Sequence, residues 1–173
     1  MIRIQCFLTG LATLTLALAA PVFANAQKGA ARAAIRTNGS LYSKEFKPME
    51  LGAEVDYYFT DDLHAGISLE TAVGLFDRSG ARDYSINGTY GIDAGYRFWK
   101  FGSGSLDGSL GMGNVMADKD WKYLYYDANV RLNVGRQDTQ PFVGIGLRYY
   151  DARGDVFDNY LRCYLSLGVS FGL

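Results

Sequence analysis

Apolar and polar residues alternate along most of this chain. In the last segment, YLRCYLSLGVSFGL, every second residue from Leu161 to Leu173 is apolar, whereas the positions between them carry Arg162, Tyr164 and small residues. Successive side chains of a β-strand point to opposite faces, so this period of two predicts a strand with one apolar side. That side either packs into the core of a soluble sheet or faces lipid on the outside of a barrel.

The same alternation recurs between clusters of Gly, Asp and Ser, and residues 27–173 contain no long helical pattern. The first predicted strand has the thinnest apolar face, and a periplasmic extension over residues 27–45 is the alternative interpretation. An even strand number is the rule for single-chain bacterial membrane barrels. The predicted fold class is therefore all-β, an eight-stranded antiparallel up-and-down transmembrane β-barrel. The predicted strands are residues 31–43, 49–59, 63–76, 84–98, 106–116, 123–135, 142–150 and 160–173.

The beginning of the chain differs from the rest in composition. Arg3 precedes an apolar run that ends at Ala20, and small residues follow as far as Ala26. This order is typical of a secretory signal peptide. A transmembrane anchor is disfavoured because the run is short and interrupted by threonines. We expect residues 1–26 to be cleaved and residues 27–173 to form a single exported barrel domain.

Charged residues occupy the other face of the predicted strands. The net charge of −1 at pH 7 argues against a nucleic-acid partner, because phosphate binding needs clustered positive charge. The cations and anions on the polar faces nearly balance, as a closed interior requires if each ion is to find a partner. Eight strands enclose little more than their own side chains, so we predict a charge network that fills the interior. Its predicted members are Arg32, Arg36, Glu50, Glu54, Asp56, Glu70, Asp93, Arg97, Asp107, Asp127, Arg131, Arg148 and Arg162.

Aromatic residues gather on the apolar face where the predicted strands approach the short turns. Aromatic belts of this kind mark the two interfaces of a membrane. An ordinary protein core predicts no such clustering by depth. The alternation and the belt together favour a lipid-facing barrel over a soluble one. The predicted aromatic girdle consists of Tyr57, Phe59, Tyr96, Phe98 and Phe171.

These features resemble those of a known group of proteins. The signal peptide, the strand count and the C-terminal LSLGVSFGL are similar to the small outer-membrane barrels of the OmpA membrane-domain and OmpX type. The resemblance implies an outer-membrane location and recognition of the last strand by the barrel-assembly machinery during insertion. Leu173 departs from the aromatic residue that usually ends such chains. The implied assembly signal is Leu165, Leu167, Val169, Phe171 and Leu173.

Residues with catalytic or metal-binding chemistry are few. His64 is the only histidine, and Ser68 lies on the same face but about 13 Å away at ~3.3 Å per strand residue, too far for a nucleophile and its base. Asp61 and Asp62 lack the spacing of a calcium motif. Cys163 is the single cysteine left after cleavage, which excludes an internal disulfide and predicts an unpaired, lipid-facing thiol. We therefore predict no catalytic residue, no cofactor and no metal site.

The sequence thus predicts a non-enzymatic, monomeric outer-membrane barrel with a structural or surface-interaction role and a plugged, charge-paired interior. Its expected contacts are membrane lipid and lipopolysaccharide, whose phosphates would meet Arg78, Arg82, Lys119 and Lys122 in the outer loops. A porin-like narrow channel, or a conduit for small apolar compounds, is the first alternative. A lipid A-modifying enzyme is the second.

Overall fold

The computed structural model describes residues 29–42, 46–78, 81–116, 122–135, 138–153 and 158–173. The predicted signal peptide, Lys119 and the side chains of Arg78 and Arg82 lie outside what is described. Within the described ranges, no helix is long and apolar enough to cross a membrane.

Eight β-strands form a closed barrel in which each strand pairs with its neighbours in sequence, and the first strand pairs with the last. Every pairing is antiparallel. The prediction of an all-β, eight-stranded, antiparallel up-and-down barrel is therefore confirmed. The strands are β1 (Ala31–Tyr42), β2 (Met49–Tyr58), β3 (Leu63–Arg78), β4 (Ala81–Phe101), β5 (Gly104–Val115), β6 (Tyr123–Val134), β7 (Thr139–Ala152) and β8 (Tyr160–Gly172).

The first strand forms despite its thin apolar face because it has a partner on both sides. Ile35 lies opposite Ala53 of β2 and opposite Val169 of β8, and both ladders follow β1 along most of its length. Closing a barrel removes the unpaired edges of a sheet, so backbone pairing holds this strand in place where side-chain hydrophobicity is weak.

The hairpin between β3 and β4 is longer than the alternation predicts. The polar residues 77–83 stand between two predicted strands, but the ladder continues until Arg78 lies opposite Ala81. Polar side chains interrupt the apolar pattern without interrupting backbone hydrogen bonding, which is why periodicity places these strand ends too early.

A register shift lengthens the other end of β4. The pairing with β5 slips between Arg97 and Trp99, which inserts one extra residue into β4. Phe98 and Trp99 are consequently both exposed although they are neighbours in sequence. The strand therefore continues to Phe101, and a two-residue turn follows in which Gly102 has a φ of 48°, a conformation that suits the tight hairpin.

The barrel has two ends that differ in their connections. The terminal end carries the start of β1, the end of β8 and the turns at residues 59–62, 102–103 and 135–138. The distal end carries the other four connections.

The distribution of polar and apolar side chains is inverted relative to a soluble protein. None of the described leucine, isoleucine, valine or methionine side chains is buried, whereas arginines, glutamates and aspartates are. Ile67 and Leu110 are 63% and 70% exposed, while Arg148 and Arg162 are each 1% exposed. In water the reverse arrangement is the rule.

Candidate functional site

The interior of the barrel holds the charged side chains that face inward from the strands. Among the thirteen residues of the predicted charge network, Asp93 and Arg131 are half-buried and all the others are buried. These side chains form layers between the distal and the terminal end, and each layer has different partners.

Arg148 lies at the centre of the most densely paired layer. Its Nε donates to Asp127 Oδ2 at 2.6 Å, and its Nη1 donates to Glu70 Oε2 at 2.7 Å and lies 3.0 Å from Glu50 Oε1. The ring of Tyr125 stacks against the guanidinium, 4.1 Å from its Cζ. One cation thus serves three buried carboxylates that come from three different strands.

The other arginines of this layer join these carboxylates to one another. Arg36 lies 3.0 Å from Glu54 and 2.5 Å from Glu70, and Arg131 also pairs with Glu54. Arg162 pairs with Glu50 and donates to the carbonyl of Pro48 at 2.8 Å. Glu50, Glu54 and Glu70 are therefore each shared by two arginines, and the layer is one connected ion-pair network.

Tyrosines complete this network and cover its distal side. Tyr150 donates to Glu50 Oε1 and Tyr164 donates to Asp127 Oδ1, both at 2.7 Å. The rings of Phe46 and Tyr123 pack edge-on against Tyr150, with centroids 5.6 Å and 5.1 Å away. The distal end of the interior is thus filled by aromatic rings.

Glycines on the inward face make room for these large side chains. A Cβ atom at Gly113 would lie 2.4 Å from the ring of Tyr125, and one at Gly146 would lie 2.3 Å from the ring of Tyr164. Distances below 3 Å cannot be accommodated without displacing the ring. These inward-facing glycines therefore lie where a neighbouring strand places a bulky side chain in the interior.

The terminal end of the interior is more open. Arg97 pairs with Asp107 at 3.2 Å and donates from Nη2 to the hydroxyl of Tyr58 at 3.1 Å. Below this pair lies a cavity of about 170 Å³ whose lining includes Arg32, Arg97 and Lys100.

His64 faces the interior at the last ladder step between β2 and β3, opposite Tyr58. It is 6% exposed, and its ring stacks on that of Tyr58 with the centroids 4.9 Å apart. One ring nitrogen and carboxylate oxygens of Asp56 and Asp93 lie within 4.8 Å of one another. Sequence reasoning missed this grouping because the three residues come from three strands and converge only in the correct register.

The predicted aromatic girdle lies at the terminal end. Tyr57, Phe59, Tyr96 and Phe98 are each about half exposed, and Phe171 is half-buried. Tyr57 and Phe59 form an edge-on pair with centroids 5.1 Å apart.

The structure adds aromatic residues that sequence reasoning missed. Trp99 and Phe101 extend the terminal belt, and the exposed Tyr126 and Tyr149 stack across β6 and β7 near the distal end with centroids 6.5 Å apart. The sequence doublets Tyr125–Tyr126 and Tyr149–Tyr150 could have indicated this second belt. In a strand, one tyrosine of each doublet must face outward and the other inward.

The residues of the implied assembly signal lie on the outer face of β8. Leu165, Leu167 and Leu173 are exposed, while Val169 and Phe171 are half-buried. The amide of Leu173 donates to the carbonyl of Ala31 at 3.0 Å, which ties the last residue to β1. Cys163, on the same face, is half-buried and free.

Comparisons with known proteins find similarity among solved structures. No protein-family model matches the chain, and no curated protein matches it. Among solved structures, the chain is similar to the N-terminal beta-barrel domain of Pseudomonas aeruginosa OprF, with 15% sequence identity, a TM-score of 0.48, and coverage of 84% of this chain and 98% of that domain. At this identity and TM-score the similarity adds no argument about function.

Proposed function

We propose that this protein is a bacterial outer-membrane β-barrel with a structural or surface-interaction role. The observation that carries the proposal is the inverted distribution of side chains. An exposed apolar surface that runs around the whole barrel is far larger than the apolar patches of soluble monomers. Membrane lipid would cover such a surface. A closed barrel is one of the two architectures that satisfy every backbone hydrogen-bonding group inside a bilayer.

The aromatic belts support the same proposal. Tyrosine, tryptophan and phenylalanine cluster at the terminal end of the apolar surface, and tyrosines lie near its distal end, where the two headgroup regions of a bilayer would lie. The terminal end faces the periplasm in this proposal, because the chain enters from that side and both ends of an even-stranded barrel return to it.

The interior supports a plugged barrel over a channel. Arginines, carboxylates and tyrosines fill the central and distal layers, and the polar cavity that Arg97 lines lies at the terminal end. The proposed partners are accordingly outside the barrel: membrane lipid, lipopolysaccharide, and the assembly machinery that would recognise β8. The proposed state is a monomer, since the closed barrel leaves no strand edge for pairing.

Heat-modifiable electrophoresis and fractionation test the barrel in its membrane. The folded protein should migrate differently before and after boiling, and it should remain with the outer-membrane fraction after washing with urea. A protein that is released by urea, or that migrates identically in both states, contradicts the proposal.

Two further measurements separate this role from its alternatives. Planar-bilayer recordings of the refolded protein should show no stable open steps; regular conductance steps would favour a narrow channel. Mass spectra of lipid A should be the same with and without expression, and a change in acyl-chain mass would favour a lipid-modifying enzyme.

A further inference from the structure

Asp56, His64 and Asp93 are brought together by the register of three adjacent strands. Asp56 of β2 and Asp93 of β4 both lie opposite Gly66 of β3. His64 precedes Gly66 by two residues on the same inward face. Because Gly66 has no side chain, the Asp56 carboxylate extends over it, and a Cβ at Gly66 would lie 2.1 Å from Asp56 Oδ1.

These three side chains have few or no polar partners. The Nδ1 atom of His64 is buried and, among the described residues, accepts or donates no hydrogen bond. Asp56 is 7% exposed, yet neither Asp56 nor Asp93 forms an ion pair or hydrogen bond with any residue that the structure describes. The neighbouring carboxylate Glu54, by contrast, is held by both Arg36 and Arg131.

A small cavity adjoins the cluster on the side of Asp56 and His64. These two residues line a space of about 20 Å³ together with Asp107, Ser109 and the guanidinium-bearing residues Arg32 and Arg131. A space of this size is enough for one water molecule. Arg32 lines both this space and the larger cavity at the terminal end, so the two cavities are neighbours.

We propose that Asp56, His64 and Asp93 bind one divalent transition-metal ion of the zinc type. Two carboxylates neutralise the charge of such an ion, and an imidazole nitrogen favours zinc, copper or iron over calcium and magnesium, which prefer oxygen ligands. Three protein ligands and one water form a tetrahedral zinc site. The adjoining cavity supplies the position of the water.

The spacing of the ligand atoms is compatible with a site that closes on the ion. Zinc bonds of ~2.1 Å place tetrahedral ligands about 3.4 Å apart, and the three atoms now lie within 4.8 Å of one another. Binding therefore requires these side-chain atoms to approach one another by at most about 1.4 Å.

Zinc titration of the purified, detergent-folded protein tests the site. Calorimetry should show one tight Zn²⁺ per chain, and Co²⁺ should give the intense visible bands of a four-coordinate ion. The variants D56N and D93N should each weaken Zn²⁺ binding at least about tenfold, and H64Q should change the Co²⁺ spectrum. The matched control is D62N, an exposed carboxylate in the adjacent turn, which should bind Zn²⁺ as the wild type does.

The outcomes are separable. Heat-modifiable migration confirms that each variant is folded, and if H64Q fails to fold, D56N and D93N still decide the question. A folded wild type that binds no stoichiometric Zn²⁺, equal affinity in D56N and D93N, or an equal loss in D62N that reveals only adventitious surface binding would each overturn the site. None of these results depends on whether the barrel lies in an outer membrane.

Discussion

Two regions of the barrel interior use the same residue types with opposite results. In the central layer, each carboxylate is paired with an arginine, and Arg148 alone serves Glu50, Glu70 and Asp127. Asp56 and Asp93 adjoin this layer and form no ion pair among the described residues, although Arg131 lines a small space beside Asp56, and Arg36 and Arg148 line one beside Asp93. Burial of a carboxylate therefore does not reveal its role, since direct contact with a cation decides whether it stabilises the fold or is left available to bind an ion.

The strand register explains the difference. Asp127 lies directly opposite Arg148 on the next strand, so the pair forms across one ladder step. Asp93 lies between Gly66 and Gly111, which offer no side chain. Asp56 lies opposite Arg32, but the guanidinium of Arg32 is directed to Ser170 Oγ at 3.0 Å.

The largest expected effect comes from removing the centre of the paired layer. R148M leaves three buried carboxylates without their shared cation, and it should lower the free energy of unfolding by about 3–5 kcal/mol. Urea unfolding in detergent micelles, followed by heat-modifiable migration, measures this. The matched control is R153M at an exposed ion pair with Asp151; an equally small loss in both would show that the central layer is not a stabilising network.

Filling the space over Gly66 tests the unpaired layer. G66A should displace the Asp56 carboxylate, destabilise the protein by about 1–3 kcal/mol and weaken Zn²⁺ binding. The control is G39A, because a Cβ at Gly39 has nothing within 4 Å. Equal Zn²⁺ affinity in G66A and G39A would show that the space over Gly66 is not needed for Asp56 to bind the ion.

Neutralising one carboxylate in each layer should change the free energy of unfolding in opposite directions. D56N in the absence of metal removes a buried group without a cation and should leave stability unchanged or raise it by about 1 kcal/mol. E70Q removes the partner of Arg36 and Arg148 and should destabilise the protein. Equilibrium unfolding of both variants after treatment with a chelator measures these changes. An equal loss of stability in D56N and E70Q would refute the difference between paired and unpaired carboxylates.

The smallest effect is expected at the surface. Lys100 and Asp62 form an ion pair at 2.7 Å, but their side chains are 51% and 36% exposed. K100M should change the free energy of unfolding by less than about 0.5 kcal/mol, because water screens exposed pairs. A loss approaching that of R148M would mean that burial does not set the energetic scale in this barrel.

Alternation predicted most of the architecture because it is a local property. The period of two marks the strands, and the inward phase of Glu54 or Arg148 follows from their neighbours in sequence. Alternation misplaces the strand ends at residues 77–83, where polar residues break the apolar pattern but the backbone pairing continues. It also misses the bulge in β4 that leaves Trp99 exposed beside Phe98.

The sequence by itself determined the strand number, the closed antiparallel fold and the face on which each charged residue lies, because all three follow from periodicity and turn spacing. Only the tertiary structure decided which charges meet. Partners such as Arg36 and Glu70 are separated along the chain and converge through register and through the space that inward glycines leave. The grouping of Asp56, His64 and Asp93 around Gly66 arises in the same way, and no pattern within a single strand could reveal it.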